Sequence, residues 1–330
     1  MIASDGCRDG TGRVVVLGTG GTIAGRASRA TDLVGYTAGE LGIADLLAGL
    51  GLPVDGLPEA EQVAQIDSKN MDLPTWQRLL ESLAHHLDRP DVAGVVVTHG
   101  TDTLEETAFV LQSLLAPTKP VVLTCAMRPA TALAPDGPQN LSDAVCLARH
   151  PGAQGVLVVC AGRVHGPMEV SKAHTYRIDA FDSGDAGPLA AIEHGCVRQW
   201  RAWPGQGAGP EPQGRQRLAV FLSLSALPRV ELLYSHACAD GSLVRALLAH
   251  SPADAPRLQG LVVAGTGNGS LHHRLEDALH EAMNRGVRVV RATRCASGQV
   301  TPAPGDRFEP SHGLSPVKAR LALMLELIGP

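Results

Sequence analysis

Two threonine hydroxyls and a carboxylate stand where a folded α/β chain presents side chains to a ligand. In GTGGTIAG, which starts at Gly18, the preceding run Arg13-Val14-Val15-Val16-Leu17 reads as a buried strand. The glycines then let the backbone turn sharply, so Thr22 arrives at the strand's carboxyl end. In THGTDTLEET, from Thr98, Val95-Val96-Val97 delivers Thr101 and Asp102 in the same way. The carboxyl ends of parallel strands are where open α/β sheets bind their ligands. Each string alone also reads as an ordinary strand-to-helix turn with Thr or Asp as helix cap. A hydroxyl can serve as a nucleophile only with a group to take its proton and donors aimed at the developing oxyanion, so these strings by themselves mark a ligand position.

The elements that must position these groups follow from hydrophobic pattern. Apolar runs at Val14 to Leu17, Val92 to Val97, Val121 to Leu123 and Val156 to Val159 alternate with helical segments, which predicts a mostly parallel sheet covered on both faces. A helix after Asp72 carries Trp76, Leu79, Leu80 and Leu83 on one stripe, and one after Thr101 carries Leu104, Ala108, Leu111 and Leu115. Gly- and Pro-dense PGQGAGPEPQGRQ, residues 204–216, reads as a linker between a domain over 1–203 and a smaller α/β domain over 217–330. In the second domain strands are expected near Ala219 to Leu222, Leu261 to Val263 and Val287 to Val290. A helix from Ser270 presents Leu271, Leu275, Leu279 and Met283, and a last helix has Ser315 as N-cap with Pro316 at its first position.

Composition removes several function classes. A chain of 330 residues with 44% hydrophobic content can bury substantial cores. Net charge is −5 with basic residues scattered, which leaves no nucleic-acid footprint and no polybasic membrane patch, and aromatics at 3% are too few for base-stacking platforms. The start MIASDGCRDGTGR has no apolar leader core, and no apolar run is long enough to span a bilayer, so the expectation is a cytoplasmic chain.

Other site chemistries fit poorly. The glycine string fails G-x-G-x-x-G because Ile23 occupies the place of the third glycine, and neither a G-x-S-x-G elbow nor a Walker lysine occurs. The doublets His85-His86 and His272-His273 cannot both face one metal as helix neighbours and read as solvated helix surface, while His99 reads as a packed strand-end histidine. Seven cysteines without a C-x-x-C pair argue against a disulfide framework or a metal site.

Taken together, the two strings resemble the bacterial-type L-asparaginase family, closer to its type II pattern. YTAGEL from Tyr36, QIDSKNMD from Gln65, KPVVLTCAMRPATALAPDGPQNLSDAV from Lys119, EVSKAHT from Glu169, GTGNGSL from Gly265 and SPVKAR from Ser315 extend the match in the family's order. The resemblance implies a two-domain asparaginase-like α/β architecture and a cofactor-free amidohydrolase that converts L-asparagine to L-aspartate and ammonia. It implies Thr22 as nucleophile with Tyr36 as lid partner, and a second, buried constellation of Thr101, Asp102 and Lys172. A lysine held beside Thr101 could take its proton or lower its pKa, with Asp102 fixing the geometry. Only four lysines occur in the chain, so one falling in the matching motif carries weight. Ser68 and the Asp102 amide would hold the substrate carboxylate, and Asp102 its ammonium. Asn268 would reach the site of a neighbouring subunit in a homotetramer.

Two positions depart from the family pattern. Lys69 stands where the family has glutamine or glutamate, and a lysine cannot accept a hydrogen bond. Pointing inward it would repel the substrate ammonium or grip the carboxylate; pointing outward it is a surface charge. The carboxylate grip is the expectation carried forward. The neighbour-supplied acid would fall near Gly305, so Asp306 or Glu309 must substitute or the contact is absent. A mixed glutaminase-asparaginase, and a non-catalytic amino-acid binder of the same fold, are the alternatives.

Overall fold

The computed structural model describes residues 12–50, 58–205, 212–250 and 256–329. The chain divides into two units, Met1–Leu218 and Ala219–Pro330.

In the first unit the strands are β1 (Arg13–Gly20), β2 (Glu59–Ile66), β3 (Val92–Thr98), β4 (Pro120–Thr124), β5 (Gly155–Cys160), β6 (Arg163–His165), the short pair β7 (Ser171–Lys172) and β8 (Phe181–Asp182), β9 (Ala190–Glu193) and β10 (Cys196–Gln199). The helices are α1 (Ile43–Ala48), α2 (Leu73–Asp88), α3 (Leu104–Leu115) and α4 (Gly137–Arg149). The main sheet runs β10-β9-β6-β5-β4-β3-β1-β2. Pairings from β5 through β2 are parallel, whereas β5, β6, β9 and β10 pair antiparallel. Residues Val14 to Leu17, Val95 to Val97 and Val121 to Leu123 are buried on both faces, which is why they read as continuous apolar runs.

Helix α2 is started by Asp72, whose side chain accepts the Thr75 N–H, and it turns Trp76, Leu79, Leu80 and Leu83 inward. Each fully buried leucine of that stripe contributes roughly 1.5–3 kcal/mol. Helix α3 buries Leu104, Ala108 and Leu111 of the expected stripe and adds Thr107, Phe109, Val110 and Leu114, while Leu115 is only half-buried. Among the described residues no helix is long and apolar enough to cross a membrane.

Helix α5 (Pro212–Ser223) runs across the division at Leu218, and in the second unit β11 (Arg229–Tyr234), α6 (Ser242–Ala249), β12 (Leu258–Gly265), α7 (His273–Asn284), β13 (Arg288–Thr293), β14 (Glu309–Pro310) and α8 (Pro316–Leu327) follow in order. Strands β11-β12-β13-β14 form one parallel sheet. Leu275, Leu279 and Ala282 of α7 share a core with Leu261 and Val263 of β12. Ser315 does precede α8, with Pro316 in its first turn, but its side chain makes no capping bond.

Several expectations are corrected. Ala219 to Leu222 is helix, because Leu218, Phe221 and Leu222 recur at helical spacing and Phe221 is fully buried. That helix begins at Pro212, inside the expected linker over 204–216; residues 206–211 lie outside the described residues. The helix expected from Ser270 starts at His273, with His272 as N-cap accepting the Arg274 N–H. His86, expected on a solvated face, is buried, with Nε2 at 2.7 Å from Glu61 and Nδ1 at 3.0 Å from the Arg89 guanidinium. Among the described residues Cys125, Cys146, Cys160, Cys238 and Cys295 are free thiols.

Candidate active site

Strand β1 ends in a turn that only glycine allows. Gly21 sits at φ +82 and ψ −173, and a Cβ there would stand 2.3 Å from Gly100 Cα, so the turns after β1 and β3 touch backbone to backbone. Thr22 follows at once, 7% exposed, its hydroxyl 2.6 Å from the Tyr36 hydroxyl. Tyr36 is brought there by a segment folded back on itself: Arg26 and Thr37 exchange backbone hydrogen bonds at 3.0 Å each. Asp32 closes its tip by accepting the N–H groups of Val34 and Gly35, which hold its carboxyl below the usual range. Thr131 fastens the segment by accepting the Ala27 N–H at 2.8 Å.

The second constellation gathers around one ammonium. Lys172 Nζ donates to Thr101 Oγ1 at 2.8 Å and to Asp102 Oδ1 at 2.6 Å. Thr101 is buried, but the Asp102 side chain is 51% exposed, so this group opens to solvent instead of being wholly buried as expected. Lys172 arrives from β7, and its own N–H donates to Glu105 Oε1 at 3.1 Å, which ties that strand to the first turn of α3. Ser68, 2% exposed, accepts the Asp102 N–H at 3.2 Å, and its carbonyl accepts the Thr103 hydroxyl at 2.8 Å.

Thr22, Tyr36, Ser68, Thr101, Asp102 and Lys172 line one cleft of about 240 Å³. The structure thus brings together all five expected catalytic residues and one expected binding residue. Its Asp102 Oδ2, not engaged by Lys172, is an acceptor for a cation, and its hydroxyls are donors for an anion. Apolar Leu33, Val34 and Met127, with Tyr176, wall the same cleft. Sequence reading passed over these: Val34 and Leu33 lie in a loop without periodicity, while Met127 stands inside the motif quoted from Lys119 and Tyr176 directly follows EVSKAHT. Glu105 was also missed, although it stands in the THGTDTLEET string itself.

The remaining expected residues lie elsewhere. Lys69 is not among the cleft-lining residues; it is largely exposed and its ammonium pairs with Asp67 Oδ2 at 2.8 Å, which raises its pKa. It is Asp67 that lines the cleft, so the carboxylate grip expected of Lys69 is replaced by an ion pair at the rim. Asn268, in the turn between β12 and α7, donates to the Thr301 carbonyl at 2.9 Å and accepts the Thr301 N–H at 2.8 Å. Asp306 is mostly buried against Arg291, and Glu309 pairs with Arg288 at 2.7 Å. Both candidate acids are therefore engaged within their own unit. No cluster of histidine, cysteine and acidic residues able to hold a metal occurs among the described residues.

Both units have counterparts among known proteins. The family profile described as "Asparaginase, N-terminal" matches residues 13–203, and "Glutaminase/Asparaginase C-terminal domain" matches 229–328. The chain is 36% identical over 319 residues to L-asparaginase 2 of Bacillus subtilis, covering 94% of this chain and 81% of that one. It is 34% identical over 326 residues to glutaminase-asparaginase of Pseudomonas fluorescens, covering 95% and 86%. The crystal structure of a probable cytoplasmic L-asparaginase from Campylobacter jejuni superposes with a TM-score of 0.85 at 37% identity, over 97% of this chain and 96% of that one.

Proposed function

The chain belongs to the asparaginase family, and from that premise we propose that it hydrolyses the side-chain amide of L-asparagine to L-aspartate and ammonia through an acyl-enzyme on Thr22. One observation carries the reading: the Thr22–Tyr36 pair and the Thr101–Lys172–Asp102 group share a single cleft. In the proposed reaction Thr22 Oγ1 attacks the amide carbon. Its proton passes along the 2.6 Å bond to the Tyr36 oxygen as the phenol gives up its own proton toward the departing ammonia. Water then cleaves the ester, returning the proton to Thr22 and releasing aspartate. Lys172, bonded to both Thr101 and Asp102, holds the second hydroxyl and the carboxylate in one fixed arrangement beside the substrate. Ser68 and the surrounding donors take the α-carboxylate, and Asp102 takes the α-ammonium.

Thr22→Ala tests this directly. The variant should keep the circular dichroism and melting temperature of the parent while ammonia release from asparagine falls at least about 10³-fold, the scale of losing a covalent nucleophile. Near-parental turnover in a folded variant refutes Thr22 as nucleophile.

A mixed glutaminase-asparaginase is the second reading, favoured by the likeness to the Pseudomonas fluorescens glutaminase-asparaginase. One methylene is worth only about 1–3 kcal/mol of discrimination, so competition between asparagine and glutamine must decide. A binder that only keeps the fold has no use for a Thr–Lys pair, and ammonia release separates it from both. We further propose a cytoplasmic homotetramer in which Asn268 approaches a neighbour's cleft. The compartment follows the Campylobacter jejuni neighbour, and cell fractionation tests it.

A further inference from the structure

Beneath the cleft lies a chain of polar groups that takes no part in the reaction as proposed. His99 is fully buried at the carboxyl end of β3. Its Nδ1 lies 2.7 Å from the Gly100 carbonyl oxygen, and its Nε2 lies 3.0 Å from Thr107 Oγ1. The Trp76 indole N–H donates to the same Thr107 oxygen at 3.0 Å. Every proton along this chain is determined. A carbonyl can only accept, so Nδ1 carries the hydrogen; Nε2 is then an acceptor, and the Thr107 hydroxyl must donate to it while accepting from Trp76. Burial keeps the ring neutral at ordinary pH, its pKa lowered to about 4.

The consequence lies on the other side of one peptide. A planar trans peptide points its C=O and N–H in opposite directions. The Gly100 carbonyl is drawn into the core by His99, so the N–H of the same peptide, that of Thr101, faces away from the core, and both residues line the cleft. Among the described residues no hydrogen bond engages that N–H. We propose that His99 is a positioning residue: by fixing the Gly100 carbonyl it aims the Thr101 N–H at the oxygen that becomes negative during acyl transfer. The inference rests on the amidohydrolase reading above. It needs no contact between His99 and substrate.

Two substitutions at one position separate aiming from mere packing. His99→Asn places an amide N–H near the position of Nδ1 and keeps the bond to Gly100. His99→Gln places its amide near Nε2, keeps the link to Thr107 and loses the bond to Gly100. With asparagine as substrate, kcat of His99→Asn should stay within about threefold of the parent, while kcat of His99→Gln should fall about 10- to 100-fold with KM changed less than about threefold. This is on the scale of disturbing one oxyanion donor. Thr107→Val, which removes the hydroxyl that fixes the tautomer, should also lower kcat, and Thr107→Ser should restore it. This second pair decides the matter should either His99 variant fail to fold. Parental kcat in folded His99→Gln, equal losses in both His99 variants, or equal kcat in the two Thr107 variants overturns the proposal. A parent protein that releases no ammonia overturns the amidohydrolase reading, and the role of His99 with it.

Discussion

Gly21→Ala tests the backbone contact that sets Thr22 beside Thr101. At φ +82 and ψ −173 the residue occupies a region essentially reserved to glycine, where alanine costs about 1–3 kcal/mol. The new methyl would stand 2.3 Å from Gly100 Cα and 2.4 Å from Gly100 N. That is roughly 1 Å inside a comfortable carbon contact of about 3.5 Å, and the obstacle is backbone, so the two turns must part. Overpacking adds about 1–3 kcal/mol, for a total destabilisation of about 2–6 kcal/mol. The same displacement of roughly 1 Å between the two hydroxyl-bearing turns should cost about 10²-fold in kcat. Gly152 provides the control, since it has the same φ of +82 and a methyl group there would meet nothing within 4 Å. Gly152→Ala should cost about 1–2 kcal/mol from handedness alone and leave turnover untouched. Urea unfolding followed by circular dichroism, together with an ammonia-release assay on asparagine, measures both quantities. Should Gly21→Ala match Gly152→Ala in stability and the parent in kcat, the turns are not held by this contact and the reasoning fails.

Lys172→Met and Thr101→Val should together cost little more activity than either alone, because the 2.8 Å bond makes them one unit; a multiplicative loss in the double variant shows separate roles. Lys69→Gln frees the cleft-lining Asp67 carboxylate from its ion pair, so KM for the zwitterionic substrate should fall by up to about fivefold with kcat unchanged. A raised KM would restore the carboxylate grip. Burial lowers the pKa of His99 and His165 from 6.5 to about 4, so the unfolded chain binds protons that the folded one refuses. Stability is then complete above pH 6.5 and declines as pH falls toward 4, by roughly 3 kcal/mol for each histidine. Urea midpoints at pH 7, 5.5 and 4.5 check this, and His165→Gln should flatten the slope. If Asn268 completes a neighbour's cleft, specific activity should fall on dilution as subunits separate, whereas a fully active monomer in sedimentation rules that out.

Much of the first unit was legible because its strands are buried on both faces. Such strands must be apolar throughout, and the chain records this locally in Val14 to Leu17, Val95 to Val97 and Val121 to Leu123. Edge strand β2, EAEQVAQI, went unread because one side of it meets solvent and its burial alternates irregularly. Ala219 to Leu222 was read as strand because a short apolar run fits either period, and only packing chose the helix.

The sequence by itself determined that Thr22 and Thr101 would end parallel strands, since glycine-bearing turns after apolar runs leave few other courses for the backbone. Resemblance of motifs, not spacing, brought Lys172 to Thr101 across a separation of 71 residues. Tertiary structure alone decided where the flexible charged side chains went. Lys69 turned to Asp67 and Asp306 to Arg291, because a long ionic side chain takes the nearest partner that the fold presents. The same is true of His86, whose neighbour Glu61 comes from β2, whereas His99 is packed at the strand end as its place in the sequence indicated. A buried histidine and a solvated one look alike in a sequence, because what separates them is the hydrogen-bond partner delivered by another element.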